Sequence, residues 1–64
     1  LVFEYLQSFP GNRLKIFDRW GLLVYERSNY GNNWRGDGVS DGTYYYELSI
    51  PGKEPMTGSF MLLR

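Results

Sequence analysis

Aromatic residues in this chain stand beside glycine turns in a fixed order, and that arrangement leaves little room for a helix. Ile16-Phe17-Asp18-Arg19-Trp20-Gly21 comes first, then Asn29-Tyr30-Gly31-Asn32-Asn33-Trp34-Arg35-Gly36. Asp41-Gly42-Thr43-Tyr44-Tyr45-Tyr46 follows, and the chain closes on Gly58-Ser59-Phe60-Met61-Leu62-Leu63-Arg64. No stretch keeps a helical spacing of apolar residues across three turns, whereas alternation with period two recurs in short runs. The pattern predicts an all-β domain built from short antiparallel strands.

Size sets how such a domain can hold together. Sixty-four residues make one domain, 1–64, and a chain this short buries only about 60% of its unfolded surface. Large side chains must therefore fill the core, and the 19% aromatic content supplies them. There is no cysteine, which excludes disulfides and thiolate metal sites. Seven basic and seven acidic residues cancel without forming a run of either sign. A phosphate-binding surface needs a local excess of Lys and Arg, so nucleic acid is not an expected partner. No apolar run approaches the roughly 20 residues of a membrane helix, so no membrane insertion of its own is expected. The opening residues lack a basic leader and a small-residue cleavage site. They begin abruptly in a strand-like pattern, which reads as a piece of a longer protein.

Five strands are expected. Residues 1–6 form the first, closed by the Phe9-Pro10-Gly11-Asn12 turn. Residues 14–18 form the second, with Leu14 and Ile16 on one face and Lys15 and Phe17 on the other. Trp20-Gly21 makes a tight connection to 22–26, giving a hairpin. Residues 27–42 are dominated by turn formers, and Tyr30, Trp34 and Val39 are the anchors that pin this long loop. Residues 43–50 are the clearest strand, with Tyr44, Tyr46, Leu48 and Ile50 on one face and Tyr45, Glu47 and Ser49 on the other. After Pro51-Gly52-Lys53-Glu54-Pro55, residues 56–64 form the last. Short strands with turns every 8–12 residues or so suggest a small β-sandwich of the Ig type. A full Ig-like sandwich has about seven strands, so either the long loop holds short strands or a missing N-terminal segment supplies one. If that segment is missing, an edge stands bare and the isolated fragment is open to self-association.

Catalysis is poorly provided for. The chain has no histidine, the commonest general base and metal ligand near neutral pH. Asp37 and Asp41 sit among glycines in an open loop, where neither carboxylate is desolvated enough to be tuned for proton transfer. Read from Asp37, a calcium loop of the EF-hand type would need a glutamate at its twelfth position, and Leu48 stands there. Aspartates bonding their own turn backbone is the preferred reading. Arg35-Gly36-Asp37 spells an adhesion tripeptide, but the turn accounts for Gly36 and Asp37. Trp34, Tyr44 and Tyr46 are assigned to the core. For Trp20 and Tyr45 a core role and an exposed ligand-stacking role are closer, with Arg19 expected to stack on the Trp20 indole.

The ordered series supports a resemblance. Asn12, Leu14, Ile16-Phe17, Arg19-Trp20-Gly21, Val24-Tyr25, Tyr30, Asn33-Trp34, Gly36, Asp41-Gly42-Thr43-Tyr44-Tyr45-Tyr46, Gly58 and Leu62-Leu63-Arg64 resemble the gliding-motility-associated C-terminal domain. That family is the type B sorting domain of type IX secretion in Bacteroidetes. The resemblance runs from about Asn12 to Arg64; its most characteristic residues are Arg19, Trp20, Gly21, Tyr30, Trp34, Gly36, Asp41, Gly42, Thr43 and Tyr44. Asp18 stands where the family more often has asparagine, and the family's Pro-Asn-Gly-Asp-Gly-type opening has no counterpart here. The resemblance implies a non-catalytic, cofactor-free export module. Such a module would route its parent protein through the periplasm and outer membrane to the cell surface or medium. Outer-membrane type IX components are the implied partners. The last strand, 56–64, is the candidate docking edge for them, as a terminal strand with one side open to pairing, and Leu62, Leu63 and Arg64 are its candidate contacts. Two other readings are a carbohydrate-binding module using Trp20 or Tyr45, and a passive structural domain of a surface adhesin.

Overall fold

Alternation in Arg13-Leu14-Lys15-Ile16-Phe17 becomes one of the two inner strands of the sheet, with Leu14 and Ile16 fully buried. The computed structural model describes residues 3, 6–36 and 38–63. Among these, four strands form one antiparallel sheet: β1 (Arg13–Phe17), β2 (Leu23–Ser28), β3 (Gly42–Ser49) and β4 (Met56–Leu62). Their order across the sheet is β2-β1-β3-β4. The all-β class is as expected, and one sheet under a covering layer is compatible with a small Ig-like sandwich.

The register explains which side chains meet. Leu14 and Ile16 of β1 stand opposite Leu48 and Tyr46 of β3, while Tyr44 of β3 stands opposite Phe60 of β4. These residues share one face, and the strands' burial follows the expected alternation. Between Ile16↔Tyr25 and Phe17↔Leu23 the β1–β2 register shifts, leaving Val24 as the extra residue of a bulge. The bulge lets Val24 pack against the core beside Tyr25.

No second sheet covers that face among the described residues. The irregular segment after β2 does so, through the anchors expected of it: Tyr30 and Trp34 are buried and Val39 half-buried. Trp34 spans the sheet, with its ring 5.9 Å from Tyr25 of β2, 6.1 Å from Tyr44 of β3 and 5.9 Å from Phe60 of β4. The pairs with Tyr44 and Phe60 are edge-to-face, and such pairs add about 0.5–1.5 kcal/mol each beyond area burial. Of the two alternatives for further strands, the one that puts short strands in this loop is not met among the described residues.

The strand expected at 1–6 is corrected where the structure describes it. Leu6–Ser8 is a single 3₁₀ turn, closed by Phe9 N–H donating to the Leu6 carbonyl at 2.9 Å. Phe3 belongs to no strand, because its backbone is served by a side chain. Its N–H donates to Asn32 Oδ1 at 2.8 Å and its carbonyl accepts from Asn32 Nδ2 at 3.0 Å. Residues 1, 2, 4 and 5 lie outside the described residues.

Asn12 ties sheet to cover. It is 3% exposed, its Nδ2 donates to the Phe9 carbonyl at 3.0 Å, and its Oδ1 accepts from Tyr30 N–H at 2.9 Å. Its own carbonyl accepts from Asn29 N–H at 2.7 Å. Asn29 holds a left-handed φ of 53°, and its Oδ1 accepts from Gly11 N–H at 2.7 Å. Asn12→Ala leaves the Tyr30 N–H and Phe9 carbonyl without these partners. A cost of about 2–4 kcal/mol is expected, read as a fall of at least about 10 °C in the thermal midpoint.

Gly58 has an equally concrete cause. It pairs with Tyr46, whose ring lies across it: a Cβ built there would fall 2.6 Å from Tyr46 Oη and 2.7 Å from two ring carbons. Gly58→Ala should cost about 1–3 kcal/mol through this overlap. In a Tyr46→Ala background the penalty should largely vanish, which a double-mutant cycle by chemical denaturation would measure.

Candidate functional site

Hairpin geometry places the most exposed aromatic residue. The turn between β1 and β2 closes with Asp18 N–H donating to the Leu22 carbonyl at 2.9 Å and Gly21 N–H to the Asp18 carbonyl at 3.0 Å. Asp18 Oδ1 accepts from both Trp20 N–H and Leu22 N–H, at 2.9 and 3.0 Å. Gly21 takes the left-handed φ of 81° that this turn requires. Trp20 therefore projects from a backbone fixed on both sides, 72% exposed. The Arg19 guanidinium lies 4.2 Å from its ring centroid, a contact worth about 0.5–1 kcal/mol at an exposed site. An asparagine at position 18 would present the same oxygen to the two N–H groups.

Trp20 is not alone at that end. Among the described residues, the large exposed hydrophobic residues are Trp20, Leu22, Leu23, Tyr45, Met61 and Leu63, with Met56 as the seventh. The antiparallel register brings the first six to one end of the sheet, since Phe17 faces both Leu23 and Tyr45 and Thr43 faces Met61. Leu23, Phe17, Tyr45 and Met61 lie on the sheet face turned away from the core. Towards the opposite end the same face is charged: Arg13 Nε meets Glu26 Oε2 at 2.8 Å, and Lys15 Nζ stands 4.0 Å from the same oxygen. The outer face is thus divided into an apolar half and a charged half.

Beside the hairpin lies a cleft of about 310 Å³ whose walls include Arg19, Trp20, Val24, Val39, Asp41 and Tyr44. It joins two motifs that lie far apart in the sequence, Arg19-Trp20 and Asp41-Gly42-Thr43-Tyr44. Tyr44 Oη donates to the Ser40 carbonyl at 2.6 Å, fixing the cleft wall. Among the described residues no group of three His, Cys, Asp or Glu side chains could hold a metal ion. Asp37 lies outside the described residues, and with it the loop site pairing Asp37 with Asp41.

The other motif residues serve elsewhere. Tyr30 and Trp34 are core, joined by Trp34 N–H donating to Tyr30 Oη at 2.8 Å. Gly36 is a buried turn residue with φ 78°, its carbonyl accepting from Val39 N–H at 3.2 Å. Tyr44 and Tyr46 pack inward, while Tyr45 is 47% exposed. Leu62 packs partly against the core, Leu63 stands 77% exposed, and Arg64 lies outside the described residues. Leu22, Leu23 and Met61 were not singled out from the sequence. Only the Leu22-Leu23 doublet carried a signal, because an alternating strand cannot bury both.

An all-β domain with a rigid hairpin tip and its exposed apolar side chains gathered at one end is a recognition module. The chain matches the CHU_C type IX secretion signal domain over residues 1–62 and belongs to that family. This is the family that the motif series resembles, and the match also takes in the residues before Asn12. The domain is thus an export and sorting module, directing its parent protein through the outer membrane to the cell surface or medium. No curated protein and no solved structure matches the chain.

Burial pushes the Tyr30 phenol above its ordinary value of 10.0; the Trp34 N–H bond pulls it back in part, and Tyr25 adds to the rise. The folded chain therefore holds this proton more tightly than the unfolded chain does. Its contribution to stability is complete below a pH of about 10 and is lost as pH climbs through the folded value. Denaturation midpoints measured from about pH 8 to 12 should fall more steeply for the wild type than for Tyr30→Phe. Parallel declines would remove Tyr30 from the alkaline transition.

Proposed function

We propose that this domain is read in its folded form by outer-membrane components of the type IX machinery, through the apolar end of its sheet and without chemistry of its own. The supporting observation is the gathering at that end of six of the seven large exposed hydrophobic residues among the described residues. Monomeric domains scatter such residues singly, and a contiguous group marks an interaction surface. Net charge of zero offers no long-range steering, so recognition rests on shape and apolar burial. A tip whose backbone is already fixed by Asp18 loses little conformational freedom on docking. Leu63 extends the same end, following Met61 and Leu62. Trp20, with one ring face under Arg19, acts here as a protein-contact anchor.

The test uses a periplasmic reporter fused to the chain with its natural upstream residues, in a cell competent for type IX secretion. Trp20→Ala combined with Leu63→Ser should cut surface delivery at least about tenfold, as expected for loss of interface anchors. Both side chains are exposed, so the thermal midpoint should stay within about 3 °C of the wild type. Arg13→Ala with Glu26→Ala, in the charged half, should export normally. Normal delivery of the Trp20/Leu63 variant would overturn the assignment of the surface.

A further inference from the structure

The sheet has two outer strands, and they are guarded unequally. β2 pairs with β1 through a register shift and carries Glu26 and Arg27, both features that discourage further pairing. β4 pairs with β3 over seven successive residues without a break. Its sequence, Met-Thr-Gly-Ser-Phe-Met-Leu, holds neither a charge nor a proline. Among the described residues β4 has no strand on its other side. A long, uncharged outer strand is a ready template for strand addition.

We infer that β4 is the pairing edge for a second copy of this chain, joined antiparallel about a two-fold axis through Ser59. The strand is complementary to itself about this middle residue. Two-fold pairing sets Met56 against Leu62, Gly58 against Phe60, Thr57 against Met61, and Ser59 against Ser59 of the partner subunit. Each pair joins residues of the same sheet face. On the core side, apolar meets apolar, and the bare Gly58 gains an aromatic neighbour, the cross-strand arrangement that compensates for a glycine in a strand. Phe60 of the partner subunit then lies beside the Tyr46 ring that already crosses Gly58. A charge on this edge would have to be desolvated in the seam, and β4 has none. A strand from an unrelated protein would gain the same backbone bonds but not this side-chain match.

The product is a continuous eight-stranded sheet, two copies of the four-stranded one. Its two-fold axis points the two apolar ends in opposite directions, leaving both exposed. Pairing and export are therefore separate properties, and either can fail without the other.

Absence of cysteine makes the register directly testable. Ser59→Cys places two thiols opposite each other across the axis, within disulfide reach. Thr57→Cys places them about 14 Å apart, four residues along the strands, and out of reach. Under mild oxidation Ser59→Cys should form a covalent dimer at least about tenfold faster than Thr57→Cys, a difference set by bond geometry. In sedimentation, the wild type should shift from 7.5 kDa towards twice that mass as concentration rises. A dissociation constant on the order of 100 µM is expected for so small an interface. Ser59→Lys should abolish the shift, and Ser28→Lys on the guarded edge should leave it unchanged. Equal crosslinking at the two cysteine positions would overturn the register. A wild-type chain still monomeric at about 1 mM, well above that constant, would overturn the pairing and leave the edge to another protein's strand.

Discussion

The fold depends on one buried amide. A single sheet exposes an apolar face that must be covered, and here the cover is an irregular segment with few backbone bonds of its own. Asn12 joins the two. It stands immediately before β1 and receives the main chain at the end of β2, through Asn29 N–H to its carbonyl and Tyr30 N–H to its Oδ1. That second bond sets where Tyr30 enters the core. Tyr30 Oη then accepts the Trp34 N–H and sets where the indole lies. Trp34 in turn touches side chains of β2, β3 and β4. Position thus passes from an asparagine to a tyrosine to a tryptophan, and each step is a hydrogen bond made away from water, where directionality counts most.

Strand faces could be read from the chain because their cause is local. Leu14 and Ile16 alternate with Lys15 and Phe17, and in a half-covered sheet period two leaves only one choice of inward face. Turns were readable for the same reason: Pro51-Gly52 and Trp20-Gly21 need the left-handed φ that glycine supplies. At Phe3 the strand-like pattern misleads because the backbone partner is a side chain. Asn32 offers an amide oxygen and an amide nitrogen to Phe3, as a neighbouring strand would, from 29 residues away. Nothing local to residues 1–6 announces this. The exposed end was hidden for a related reason: Leu23 and Met61 look like core candidates until the register puts them on the face that has no cover among the described residues.

The motif residues divide once the structure separates them. Tyr30, Trp34, Gly36 and Tyr44 keep the fold, while Arg19 and Trp20 are displayed by it. The two roles are coupled through Tyr44, which packs on Trp34 on one side and lines the cleft beside Trp20 on the other. A surface presented in this way depends on a folded core, as the proposed reading of the domain in its folded form requires. An extended peptide carrying Trp20, Leu22 and Leu63 would offer the same side chains without their spacing, and would lose far more conformational entropy on docking.

The two proposed roles of the last strand meet in its alternation. Gly58, Phe60 and Leu62 turn towards the core side, Met61 turns away, and Leu63 continues past the strand's end. Edge pairing uses the backbone along the whole strand, whereas docking at the apolar end uses side chains beyond its middle. A substitution at Ser59 therefore acts on the edge and spares the end, and one at Leu63 does the reverse. Gly58 allows neither separation, since Tyr46 crosses it and a side chain there would disturb the core and the edge together. That double demand gives a physical reason for a glycine in the middle of a strand whose neighbours are otherwise ordinary β-formers.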